Sequence, residues 1–183
     1  MNYFRYLVGI REKIPPTHEI ASLYSTIVFF VYGWTGVAVI WKLPSWSYIL
    51  SPGAIVVTLA YIVTARLFKS VVILLIFLSA SLLLPASWIR DKFVVRCSVI
   101  LCSFTLWVVI FTFSTSTHLP DQGDILTFLA GFLITSVFGL LLSERISSVR
   151  RFLSLVGDRL IVFLYVSLPL SLVGILIVII RII

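Results

Sequence analysis

The sequence predicts an all-α integral membrane protein, a bundle of five or six transmembrane helices joined by short loops. Of its 183 residues, 61% are hydrophobic and 11% are charged, which is more apolar surface than a soluble domain of this length can bury. The apolar residues are collected in runs of about 20, the length at which a helix crosses a ~30 Å hydrocarbon core. Lipid is therefore the expected solvent of most of the chain.

The chain is predicted to begin with a cytoplasmic or interfacial segment, residues 1–19, followed by a polytopic transmembrane domain, residues 20–183. Several apolar side chains between residues 4 and 14 fall near one helical face, which is typical of a helix lying on a membrane surface. Pro15 and Pro16 must end any such helix.

The first apolar run, residues 20–41, is predicted to be the first span. No small-residue cleavage site precedes it, so we expect it to be retained and not removed as a signal peptide. Trp41, Trp46 and Tyr48 cluster around Pro44, and aromatic rings of this kind prefer the headgroup level of a bilayer. The sequence therefore predicts a turn at a membrane surface here.

Residues 48–89 have two interpretations. Residues 48–65 and 71–89 are both apolar, and a basic stretch, residues 66–70, separates them. Hydropathy alone gives two spans and six crossings in total. In the alternative, residues 71–89 form a re-entrant or interfacial segment that returns to the cytoplasmic side, because small residues at 79–81 could line a chain reversal. That alternative has five crossings.

Three further spans are predicted at residues 93–113, 125–142 and 160–180. The connection at residues 114–124 contains two acids and no Lys or Arg, so we expect it outside the cytoplasm. Its two acids, Asp121 and Asp124, are spaced like a general acid and base, but a turn in which Asp124 caps the next helix gives the same pattern.

The most informative connection is the arginine segment, residues 143–159. Short loops rich in Lys and Arg remain in the cytoplasm, so this segment orients the spans on either side. Apolar residues at helical spacing predict a short helix that Gly157 ends, with Asp158 as the next cap. Its basic residues are predicted to contact either anionic lipid headgroups or an acidic surface of a soluble protein, and they are Arg145, Arg150, Arg151 and Arg159.

The distribution of basic residues separates the two topologies. Six crossings with the arginine segment inside leave 8 basic residues inside and 6 outside, whereas five crossings give 12 and 2. The positive-inside rule therefore favours five crossings with the N-terminus in the cytoplasm. The net charge of +7 is explained by this distribution, so we expect no direct contact with nucleic acid.

No residue pattern indicates catalysis, a cofactor or a metal site. All seven acids lie in connections or at span ends, which argues against a proton relay inside the membrane. Both histidines fall in polar connections. Cys97 and Cys102 lie about 140° apart around one helix, so we interpret them as small apolar fillers and not as a redox pair.

Two patterns inside the spans indicate helix contacts. Gly131, Thr135 and Gly139 recur every four residues and form a small-residue face, which permits close helix packing within the chain or a subunit interface. Pro169 is predicted to kink the last span beside Ser167 and Ser171, whose hydroxyls could satisfy the freed carbonyls or line a narrow pore.

These observations favour a non-enzymatic membrane subunit that forms homo-oligomers and anchors or signals to a cytoplasmic partner protein through its basic loops. The predicted location is a bacterial inner membrane. The alternative is a small oligomeric channel or transporter built around the last span. A membrane enzyme acting on a lipid-linked substrate ranks third, because arginines are present without an accompanying acid, base or metal site.

In its stacked apolar spans and its basic segment SERISSVRRFLSLVGDR, the chain resembles the KwaA family, the membrane subunits of the bacterial Kiwa anti-phage defence system. The resemblance covers most of the chain at the level of architecture. It implies an oligomeric membrane sensor that recruits a soluble effector in antiviral defence.

Overall fold

The computed structural model describes residues 16–83, 93–115 and 119–182, and every regular element in these ranges is an α-helix. The all-α prediction is confirmed for this part of the chain, and the expected interfacial segment up to residue 15 lies outside it. We number the helices in chain order as α1 (Thr17–Ile49), α2 (Pro52–Leu83), α3 (Phe93–Ser114), α4 (Gln122–Arg145), α5 (Ser147–Arg159) and α6 (Ile161–Ile182).

Among the described residues, five stretches of helix are long and apolar enough to cross a membrane. They are α1, α2, α3, α4 and the stretch Leu155–Arg181, most of which is α6. The short helix α5 lies between α4 and α6 in the chain and belongs to the arginine segment. The number of candidate spans agrees with the lower predicted count, which is five. The spans themselves differ from the prediction, because residues 71–83 continue the helix that begins at Pro52.

Helix α2 corrects both interpretations of residues 48–89. It runs without interruption for 32 residues, so the basic stretch at 66–70 is helical and the small residues at 79–81 do not reverse the chain. No Gly or Pro occurs between residues 54 and 84, and Lys and Arg are good helix formers. Ser70 and Ser81 each donate a hydrogen bond to the carbonyl three residues earlier, at 2.7 Å, and leave the helix intact. Residues 84–89 lie outside the described residues.

Helix α1 corrects the predicted turn at Pro44. The helix passes through Pro44 and ends only at Ile49, so α1 and α2 are joined by the two residues Leu50 and Ser51. A proline removes one backbone donor, and a helix tolerates this where neighbouring groups compensate. At Pro44 the carbonyl of Ile40 loses its donor, whereas Ser47 Oγ donates to the carbonyl of Pro44 itself at 2.7 Å and does not replace the lost bond.

The chain forms two compact units. Unit 1 comprises Met1–Leu83 and Gly157–Ile183, so its described helices are α1, α2 and α6. Contacts from α1 to α6 advance in the same direction along both helices, from Phe29–Phe163 to Tyr32–Ser171. Contacts from α1 to α2 advance in opposite directions, from Tyr24–Ser70 to Tyr32–Val63, so α2 is antiparallel to the other two helices. Fully buried side chains of α1 include both apolar and hydroxyl groups, namely Leu23, Ser25 and Ile27.

Unit 2 comprises Leu84–Val156 and contains α3, α4 and the first part of α5. Helices α3 and α4 pack antiparallel, with edge-to-face aromatic contacts between Phe104, Phe111 and Phe128. The N-cap of α4 is Asp121 and not the predicted Asp124. The two carboxylates form a capping box, because each accepts a hydrogen bond from the backbone N–H of the other.

Candidate functional site

The arginine segment contains the last residues of α4 and all of α5. Arg145 is the last residue of α4 and its side chain is exposed. Arg151 and Arg159 are exposed on α5, and the side chain of Arg150 lies outside the described side chains. The structure therefore places three of the four predicted contact residues where another molecule can reach them.

Gly157 does not end α5, which corrects its predicted role as a helix stop. The helix continues to Arg159, and no described glycine has the positive φ that a glycine stop requires. Gly157 is instead buried, and its carbonyl accepts a hydrogen bond from Ser25 Oγ of α1 at 3.0 Å. The carbonyl of Gly157 shares the proton of Ser25 with the carbonyl of Ser22, which lies 2.7 Å from Ser25 Oγ, so the C-terminal end of α5 contacts α1.

The small-residue face of α4 lies against α3 in the same chain. A Cβ atom on Gly131 would overlap the ring of Trp107, and one on Gly139 would lie 2.7 Å from a methyl of Val99. Trp107 Nε1 donates to Thr135 Oγ1 at 3.1 Å, which holds the indole in place over Gly131. This face is therefore occupied by packing inside unit 2.

The end of the α3–α4 pair nearest the arginine segment carries an ion pair. Arg96 Nη2 donates to Glu144 Oε1 at 2.6 Å, joining the first turn of α3 to the last turn of α4. The Arg96 side chain is 17% exposed, so it is held against the protein. The sequence indicates only that Arg96 can extend toward water, because a partner 48 residues away leaves no local pattern.

A cluster of hydroxyl groups joins the three helices of unit 1. Tyr32 Oη of α1 donates to Ser171 Oγ of α6 at 2.6 Å, and the carbonyl of Val63 of α2, at 3.4 Å, is the alternative acceptor for the same proton. Ser171 is fully buried and also donates to the carbonyl of Ser167 at 2.6 Å. The prediction had placed Ser171 near Pro169 but had not identified Tyr32.

Helix α6 continues through Pro169 as one helix, and Pro169 itself is exposed. A proline at this position leaves the carbonyl of Tyr165 without its usual donor. The hydroxyls of Ser167 and Ser171 donate to other carbonyls, those of Leu164 and Ser167. The expectation that these serines satisfy the freed carbonyl is therefore wrong.

Close approach of α2 and α6 extends the same cluster. A Cβ atom on Gly174 would lie 3.2 Å from both the carbonyl oxygen of Ala60 and Oγ1 of Thr64. Thr64 Oγ1 is buried and has no hydrogen-bond partner among the described residues. The cluster thus brings oxygen atoms from three helices together without a carboxylate, so it offers hydrogen bonds but no charged acid.

Two basic residues lie in the middle of α2, where the prediction had a connection. Arg66 is half-buried and Lys69 is exposed. They are three residues apart on a helix and so share one side of it. Neither forms a hydrogen bond or an ion pair with any side chain that the structure describes. The continuous helix therefore carries two positive charges inside an otherwise apolar stretch.

Among the described residues, no group of three or more His, Cys, Asp or Glu side chains could hold a metal ion. Cys97 and Cys102 are free thiols on α3.

Comparison with known protein families, with curated proteins and with solved structures gave no match. The resemblance to the KwaA family therefore stays a prediction.

Replacing Gly131 by Ala should lower the free energy of unfolding by about 1–3 kcal/mol, because the new methyl group displaces the indole of Trp107 and breaks its bond to Thr135. Gly33→Ala is the matched control, since a Cβ atom there meets nothing within 4 Å. Unfolding of the purified protein in detergent measures both. Equal stability of the two variants would contradict the packing described for the small-residue face.

A double-mutant cycle should detect the bond between Tyr32 and Ser171. Tyr32→Phe and Ser171→Ala together are expected to cost less than the sum of the single changes, by about 0.6 kcal/mol, the average for such bonds inside membrane proteins. Ser47→Ala replaces Ser171→Ala in the control cycle, because Ser47 lies 15 residues from Tyr32 along α1. Additive effects in both cycles would show that the hydroxyl pair contributes nothing.

Proposed function

We propose that this chain is a non-enzymatic polytopic membrane protein that binds an acidic surface of a soluble cytoplasmic protein through its arginine segment. The observation that carries the proposal is α5, a short helix with exposed Arg151 and Arg159 that connects two long apolar helices. A connection between two spans must lie at a membrane surface, so these charges are presented to whatever approaches that surface.

The orientation follows from single crossings by each of the five candidate spans. Successive connections then alternate between the two sides, which puts the N-terminal segment, residues 84–92 and the arginine segment on one side. Arg66 and Lys69 lie within α2, and only Lys42 and Arg181 belong to the opposite side. The positive-inside rule makes the first side cytoplasmic. The remaining basic residues there are Arg5, Arg11, Lys13, Arg90, Lys92, Arg96, Arg145, Arg150, Arg151 and Arg159.

Attachment of α5 supports a binding role. The bond from Ser25 to the carbonyl of Gly157 holds the backbone at the end of the helix, so the backbone beside Arg159 does not have to be ordered when a partner binds. Groups held in place before binding lose less conformational entropy in the complex. An acidic protein surface with matching carboxylates could therefore gain more from α5 than from an unstructured basic loop.

The proposal places the chain in a bacterial inner membrane as a homo-oligomer. The subunit contact would have to use a surface other than the face of Gly131, since α3 already covers that face. If the resemblance to the KwaA family holds, the soluble partner is the effector of a two-component antiviral defence system, and the membrane protein acts as its sensor.

A second candidate function is a small oligomeric channel or transporter. It is supported by the hydroxyl cluster of unit 1, where Tyr32, Thr64 and Ser171 bring polar oxygen atoms into the interior of three apolar helices. Polar groups at membrane depth are costly unless paired, and they often mark a path for a polar solute. Purified protein in liposomes that conducts ions, with loss of conduction in Ser171→Ala, would favour this function.

A reporter that is active only outside the cytoplasm should be inactive after Arg151 and active after Gln122, because the two loops differ in basic residues. It should also be active after Ser51 and inactive after Leu83 if α2 crosses once. An inactive fusion after Ser51 would contradict the single crossing. An active fusion after Arg151 together with an inactive fusion after Gln122 would contradict the orientation.

Replacing Arg145, Arg150 and Arg151 by Gln should abolish retention of the soluble partner during purification in mild detergent. Retention by the unmodified protein should also fall as salt rises, because exposed charges are screened over about 8 Å at physiological ionic strength. The control variant combines Lys42→Gln and Arg181→Gln, which removes basic residues from the opposite side. The reporter after position 151 checks that the triple variant keeps its orientation. A partner that stays bound to a correctly oriented triple variant would disprove the proposal.

A further inference from the structure

We propose that Arg66 and Lys69 of α2 bind a phosphate group at the cytoplasmic edge of unit 1, and that the phosphate belongs to an anionic phospholipid. This site goes beyond the proposed function, because it lies on α2 and uses none of the arginines assigned to the partner. It also gives a role to the two charges that the sequence had suggested were part of a connection.

The side chains of Arg66 and Lys69 are close enough on α2 to contact the same anion. Residues three apart on a helix differ by about 4.5 Å in height and by about 60° around the axis. Arg66 is half-buried, whereas Lys69 is exposed. A planar guanidinium with fixed donors beside a flexible ammonium is a combination well suited to phosphate oxygens.

Two hydrogen bonds indicate the position of Arg66 and Lys69 along the helix axes of unit 1. Tyr24 Oη of α1 lies 3.3 Å from Ser70 Oγ of α2, and the next residue, Ser25, donates to the carbonyl of Gly157 at 3.0 Å. Consecutive residues on one helix differ by 1.5 Å in height. Ser70 and Gly157 therefore lie at similar heights along α1, within the reach of a tyrosine side chain.

The length of α6 indicates where the two surfaces of the membrane lie along unit 1. Arg159 and Arg181 flank the apolar residues 160–180. Residues 161–180 belong to α6, and these 20 residues of helix rise about 30 Å, close to the ~30 Å hydrocarbon thickness. Arg159, two residues after Gly157, thus marks the cytoplasmic headgroup level. Lys69 falls at this level and Arg66 about one turn deeper, from where its side chain can extend to the headgroups.

Both charges lack a counter-charge in the described part of the protein. No ion pair joins either residue to a described acid, although the apolar residues that precede the pair along α2 lower the local dielectric. Charges near hydrocarbon are costly unless an anion accompanies them. A phosphate supplied from outside the chain is therefore the expected partner, as in basic pockets that bind headgroups on the cytoplasmic side of other membrane proteins.

The surface beside the pair favours a lipid over free phosphate. Ala65 and Tyr61 are four and eight residues before Lys69, lie on the same side of α2, and are exposed. They lead from the charged pair toward the middle of the membrane, where they would contact the acyl chains below a bound headgroup. Free phosphate would gain nothing from this apolar surface.

Native mass spectrometry of the full chain, released from nanodiscs containing equal amounts of phosphatidylglycerol and phosphatidylcholine, tests the site. The unmodified protein should retain phosphatidylglycerol in preference. Arg66→Gln combined with Lys69→Gln should reduce that retention by about fivefold for each charge removed, the effect expected of one basic residue near an anionic surface. The matched control, Lys42→Gln with Arg181→Gln, should retain the lipid as the unmodified protein does.

Single Lys69→Gln keeps the test valid if the double variant does not fold, because Lys69 is exposed and its removal disturbs no packing. A second arm adds inorganic phosphate to lipid-free protein in detergent. Stabilisation by phosphate that Lys69→Gln removes, without any preference for phosphatidylglycerol, would assign the site to free phosphate and overturn the lipid. Lipid retention and phosphate binding that are both unchanged in Lys69→Gln and in a folded double variant would overturn the site itself.

Discussion

The described part of this chain depends on one constraint, that backbone N–H and C=O groups in apolar surroundings must be bonded within the chain. A helix meets this requirement locally, and ending one among apolar residues exposes polar groups that nothing there can satisfy. The helices therefore continue through residues that end helices in water. Pro44 and Pro169 both lie inside helices, and Gly157 lies inside α5.

The same constraint explains which features of the fold can be predicted from the sequence and which cannot. The all-α class and the apolar stretches follow from the composition and from the length of the apolar runs. Both quantities indicate that lipid, and not water, is the expected surrounding of the helices. The predicted breaks at Pro44 and at residues 66–70 are wrong, because a change in polarity along the sequence does not require a change in the direction of the backbone. Arg66 and Lys69 interrupt the hydropathy of α2 but none of its backbone bonds. Continuity was visible in the absence of Gly and Pro between residues 54 and 84.

Contacts between helices were less predictable than the helices themselves. The face of Gly131, Thr135 and Gly139 has a period of four residues, so its existence could be predicted, but the indole of Trp107 that fills it could not. Tyr32 and Ser171 are 139 residues apart and share no pattern. Such pairs become necessary only after helices have packed, because a hydroxyl group buried by packing must find an acceptor wherever one is available.

Charges add a second level of organisation to this packing. In the proposed orientation, the pair on α2 and the arginines of α5 face the same side of the membrane, where anionic lipid is a ligand for both. A lipid bound at Arg66 is held beside a helix surface, whereas exposed arginines on α5 meet headgroups and proteins under full screening. A soluble partner of the kind proposed would compete with lipid for α5, and the competition would weaken as the anionic lipid content falls. In that case the lipid composition of the membrane would set the affinity of the arginine segment for the proposed partner.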